Sequence, residues 1–158
     1  MQPEFLDRLS QSVQEFVISV EKDSNIEINV VLDPRQNEGG TTGHGKLAIN
    51  INSQAIQILA PTNGYFPDGA VRHEVLHARR ILIEGVPKLA LADHEEWDKR
   101  LIDALANIDN AIEHIIIVPE EINFHLDRRK HWETIMKKLC FELPNIPEVQ
   151  RCLRKFSS

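Results

Sequence analysis

The chain has 158 residues, 42% of them apolar, and a formal net charge of −6, which fits a single domain over residues 1–158 with a buried core and excludes a disordered chain. The acidic balance argues against nucleic acid or anionic lipid as a partner, no apolar run approaches the ~20 residues that span a bilayer, and Met1 to Phe5 lack the basic and apolar regions of a secretory signal. Two cysteines, Cys140 and Cys152, are too few for a disulfide framework, so a cytoplasmic protein is expected.

The spacing of Phe5, Leu9, Val13, Phe16 and Val20 predicts one helix over residues 3–22, with Pro3 in its first turn. Residues 26–32 alternate before an apolar run and read as a strand that stops at Asp33-Pro34. The stretch from 33 to 45 holds four glycines in its last seven positions and reads as a loop, either a plain connection or a wall near a site offering backbone donors or His44. Lys46 to Asn52 alternates, with Leu47, Ile49 and Ile51 on one face, and suits a sheet edge. Residues 54–60 read as a third strand, and Pro61 to Gly64 as a turn.

Beyond the turn the pattern is helical. Residues 67–84 form a helix stopped by Gly85 and Pro87. Residues 94–118 form a second, with Leu101, Leu105, Ile108, Ile112 and Ile115 as its core stripe. Pro119 opens a third, to about Leu139, and a short last helix follows Pro144 and Pro147. The expected fold class is α+β: an N-terminal helix, a small three-stranded twisted sheet, and a helical C-terminal half.

Residues 73–77 read His-Glu-Val-Leu-His. In a helix, positions i and i+4 share a face, so His73 and His77 can grip one cation. Glu74 can lean over that cation and take a proton from water. Val71, Val75, Ala78 and Leu82 form an apolar stripe beside the histidines, so one helix serves core and site together. The plain alternative pairs His73 and His77 with Glu74, Glu84 or backbone groups on an ordinary helix.

This pentapeptide resembles the H-E-x-x-H motif of the zincin metallopeptidases, over about residues 26–118. The resemblance implies Zn2+ as cofactor, Glu74 as catalytic base and a peptide or protein substrate. It also implies an active-site helix beneath a sheet whose edge strand holds extended peptide, here Lys46 to Asn52 or the segment before Ala60. Arg80 and Ile83 stand where the metzincin branch has its glycine and third histidine, so that branch is excluded. A gluzincin-like arrangement draws a glutamate from a later helix, which points to Glu113 in Asp109-Asn110-Ala111-Ile112-Glu113-His114. That segment departs from the usual gluzincin pattern, and His114 stays open as the alternative third ligand. Glu113 paired with Arg72, Arg79 or Arg80 is the reading without metal.

Tyr65, His125 and His131 are candidates to stabilise an oxyanion. His94 with Asp98 reads as a solvated helix start, and Arg128 to Lys130 as a wet helical face. Together these features predict a small zinc metallopeptidase. A zinc-holding module that binds partners without catalysis is the alternative. Substrate, cleavage site and oligomeric state are not encoded in any pattern read here.

Overall fold

The computed structural model describes residues 1–38, 45–52, 54–87 and 97–142. Residues 39–44 of the glycine-rich stretch, His94, Cys152 and the short last helix lie outside these. The elements are α1 (Pro3–Leu6), α2 (Gln11–Ser24), β1 (Ile28–Leu32), a 3₁₀ turn (Pro34–Gln36), β2 (Ala48–Ile51), β3 (Ile56–Ala60), α3 (Asp68–Leu82), α4 (Lys99–Phe124) and α5 (Leu126–Glu142). The α+β class expected from the sequence is the class observed. No helix among the described residues is long and apolar enough to cross a membrane.

The sheet runs in the order β1-β3-β2. β1 and β3 are parallel, and β2 lies antiparallel to β3 at one edge. One face of the sheet is the core face. Ile28 and Val30 of β1 and Ile56, Ile58 and Ala60 of β3 point to it, at the period of two that a half-buried strand requires. Val13, Val17 and Val20 of α2 and Val71, Val75 and Ala78 of α3 fill the same cluster. Each helix therefore contributes a stripe at three- and four-residue spacing.

Three expected elements differ from those observed. The first helix is two. The chain breaks between Leu6 and Gln11, where Leu9 turns into the core and the Ser10 N–H meets both carboxylate oxygens of Asp68 at 3.2 Å. An acceptor from α3 thus satisfies the N–H of the residue that precedes α2, which starts later than periodicity alone suggests.

Pro119 does not open a helix but lies inside α4, on its exposed side. Its missing N–H costs a ladder bond. Ile117 and Glu121, locked in the interior on either side, keep the helix continuous. The break falls at His125, with φ −132° and ψ 106°.

The apolar stripe of α4 is also reversed. Leu101, Ile108, Ile112 and Ile115 are exposed, whereas Glu113, Ile117 and Glu121 face inward. Polar partners on α3, described next, decide which side of α4 is buried.

Candidate metal centre

α3 runs beneath the sheet with its histidines on the flank that meets α4. His73 and His77, one turn apart, are both buried at 7% exposure. Their rings stand 4.9 Å apart and nearly perpendicular. His114 enters from α4, with ring centroids 5.0 Å from His73 and 5.3 Å from His77. The ligating nitrogens of the three residues all lie within 4.8 Å of one another, a group that could hold a metal ion.

Each ring is steered from its far side. His73 Nδ1 lies 3.2 Å from Glu121 Oε2, and His77 Nδ1 is hydrogen-bonded to Glu113 Oε2. A carboxylate oxygen accepts, so each Nδ1 donates to its glutamate, and in the neutral ring Nε2 is the atom left to ligate a cation. Asn110 Nδ2 lies 3.5 Å from His114 Nδ1. His114 Nε2 and His73 Nε2 are 3.1 Å apart. A tetrahedral ion with metal–nitrogen bonds of about 2.0–2.1 Å separates its ligands by roughly 3.3 Å, so this spacing fits. Burial, and then the neighbouring His73 and His77, lower His114 to about 4, so its imidazole is neutral at pH 7.

The structure thus brings the alternative third residue, His114, into the group and places Glu113 behind His77. Glu113 and His114 are consecutive, and consecutive helical side chains diverge by about 100°. One can face the shared space only if the other faces elsewhere. The pairing of Glu113 with an arginine is not what forms. Arg79 holds Glu120 at 2.8 and 3.0 Å and Glu84 at 2.8 Å, and Arg80 holds Glu84 at 3.2 Å. Arg72 is sandwiched between Phe16 and Phe124, at 4.4 and 3.8 Å from the ring centres. These contacts clamp α4 against α3 beside the histidines.

Glu121, fully buried, was not singled out by its sequence setting. It accepts from His73, from Trp132 Nε1–H at 2.7 Å and from Arg128 Nε–H. Burial alone would raise its pKa. The His73 hydrogen bond, the His73 and Arg128 charges and the Arg128 hydrogen bond outweigh it and hold the carboxyl at about 2. A usable signal existed: Glu113, Ile117 and Glu121 repeat every four residues, which puts two carboxylates on one helical face. The basic run on α5 is likewise not simply a wet face, because Arg128 is half-buried in this network. Trp132 stacks behind it, 5.1 Å from His114 and 5.9 Å from His73.

Gly69 lets α5 approach. A Cβ there would sit 2.7 Å from Arg128 Cγ and 2.9 Å from Cδ. Gly69→Ala is expected to displace the arginine stem and to destabilise the protein by about 1–3 kcal/mol. Thermal melts check this, and an unchanged midpoint would contradict the packing described.

Glu74 lines the space on both sides of His73. A cavity of about 350 Å³ lies between the segment leading into β2, α3 and α5, lined by Leu47, Tyr65, Glu74, Arg128, His131 and Trp132 among others. A second, of about 550 Å³, runs along β2 past Ile49 and Ile51 to His77, Asp109 and His114. His73, Glu74 and Leu47 belong to both, so the two form one cleft that joins at His73, with His77 and His114 on the side of the larger. Burial raises the Glu74 carboxyl above the usual carboxylate range, against the opposing pull of His73 and Arg128. Tyr65 and His131 reach the smaller cavity. Burial, with Arg128 adding to it, lowers His131, which leaves a neutral imidazole there. His125 is elsewhere, at the α4–α5 junction, and its Nε2 is buried without a hydrogen-bond partner among the described residues. Asp98 caps α4 by accepting from Arg100 N–H at 3.0 Å.

β2 gives the cleft a backbone wall. Asn52 N–H bonds Ala55 C=O at 3.0 Å, in the same register as the pairs Asn50–Gln57 and Ala48–Leu59. In an antiparallel ladder alternate residues make the bonds. Ala48, Asn50 and Asn52 therefore turn their main chain to β3, and Ile49 and Ile51 turn theirs outward at the free edge. No family model, curated protein or solved structure matches the chain.

Proposed function

We propose that the protein is a zinc-dependent hydrolase that cleaves a peptide bond, with Glu74 as general base. The observation that carries this reading is the convergence of His73, His77 and His114, each offering one ring nitrogen, beside a half-buried glutamate in an open cleft. Three imidazoles are a donor set suited to zinc and would leave a fourth position for water. They stand in place of the expected gluzincin-like set of His73, His77 and Glu113. Bound zinc supplies Lewis acidity toward a carbonyl and lowers the pKa of water toward neutrality.

The chain's own residues do the rest. Glu74, its carboxyl raised by burial, is poised to accept a proton from water and return it to the leaving amine. Water thus adds across the C–N bond: oxygen goes to carbon and a proton to nitrogen. Glu121 and Glu113 fix the tautomers of His73 and His77. The outward main chain of Ile49 and Ile51 can pair with an extended peptide as a fourth strand. Tyr65 or the neutral His131 would donate to the developing oxyanion.

In a zincin-like frame this is the geometry expected of an active-site helix under an edge strand, and α4 and α5 supply the walls that a chain of this length must otherwise lack. The test is hydrolysis of a quenched-fluorescence peptide library by zinc-loaded protein. Cleavage should stop on chelation and return on adding zinc. Stoichiometric zinc with no cleavage of any peptide would contradict the hydrolase reading and favour a zinc-holding binding module.

A further inference from the structure

The two ends of the cleft differ in charge. The larger cavity is lined by Glu74, Asp109 and Glu113 and by no lysine or arginine. The smaller has Lys46 and Arg128 against Glu74 alone. Arg128 is balanced by Glu121, which lies behind the wall rather than in it. Lys46 is exposed, and among the described residues its ammonium makes no ion pair. Beyond Gly45 and the imidazoles of His73 and His131, the rest of the wall is apolar or aromatic: Leu47, Ala70, Trp132 and Ile135, with Tyr65.

We infer that the smaller cavity is a subsite for an apolar residue bearing a free carboxylate, the C-terminal residue of a peptide substrate. This rests on the hydrolase reading and names its substrate class. The apolar walls take a side chain, and Lys46 with Arg128 supplies positive charge for an anion. A volume of about 350 Å³ suits one large residue rather than a continuing chain. A peptide has the same polarity as the cleft, with its ammonium end toward Asp109 and its carboxylate end toward Lys46. Cleavage at the histidine group, where the cavities join, then releases a single C-terminal residue.

The test is calorimetric titration with three probes: N-acetylphenylalanine, its amide, and the α-amide of N-acetylglutamate. Zinc-loaded and chelator-treated protein are both titrated, and zinc content is measured on the same samples. The free carboxylate should bind at least about tenfold more tightly than the amide in both forms, a difference that one good charge pair provides. Lys46→Ala should bring the two within about threefold, and Lys46→Arg should restore the gap. Because Lys46 is exposed, these variants should melt like the wild type.

Equal binding of acid and amide, or a preference untouched by Lys46→Ala, would overturn the subsite. Tighter binding of the glutamate amide would overturn the C-terminal assignment and make the site one for acidic side chains. A carboxylate preference in protein that takes up no zinc would leave the subsite standing and sink the hydrolase reading. Stoichiometric zinc without the preference would do the reverse.

Discussion

Glu74→Gln is expected to leave zinc binding intact and to lower kcat for peptide hydrolysis by about 10²–10⁴-fold, the range a general base contributes. Gln keeps the shape of the side chain and loses its ability to accept and return a proton. Glu74 is not a member of the histidine group, so nothing that holds the ion is removed. It also has no hydrogen bond to Glu113, Glu121 or Asn110, the three groups that steer the rings. The two readouts therefore separate. Wild-type turnover in a zinc-replete Glu74→Gln protein would show that another group moves the proton.

Substitution of Glu121 should have the largest effect on the folded protein. The carboxylate gathers donors from α3 and from both ends of the first two turns of α5, at His73, Arg128 and Trp132. Glu121→Ala leaves a half-buried guanidinium and two ring N–H groups without their acceptor. Breaking such a buried pair costs about 3–5 kcal/mol, enough to unfold a domain of ordinary stability. Glu121→Gln keeps an oxygen for His73 and should fold. It should bind zinc about 10–100-fold more weakly, because the His73 tautomer is less firmly held. Chemical denaturation reports the first effect and competition with a zinc-binding dye the second. A Glu121→Ala protein as stable as wild type would mean that the buried network contributes nothing.

The parts of the site legible in the sequence are the local ones. His73, Glu74 and His77 follow from helical periodicity alone, because the spacing that places them together is contained in five residues. The strands were legible for the same reason: the alternation at 26–32 and 46–52 is read within one segment, and β1 and β2 form there. The choice between Glu113 and His114 was not legible. It depends on how far α4 is rotated about its axis, and that rotation is set by Glu113 and Glu121 meeting histidines on another helix. Hydrophobicity pointed the other way, toward Ile108, Ile112 and Ile115, which are exposed. Pro119 misled for a similar reason. A proline is a local stop signal, and the interior contacts of Ile117 and Glu121 override it.

The assignment of three histidines is tested most directly by zinc stoichiometry after exhaustive dialysis, measured on the wild type, His114→Ala and Glu113→Gln. The account predicts one zinc per wild-type chain, none retained by His114→Ala, and one in Glu113→Gln with affinity weakened by about 10–100-fold. Zinc kept by His114→Ala and lost by Glu113→Gln would reverse the roles of the two neighbours, and no zinc in the wild type would remove the metal centre altogether.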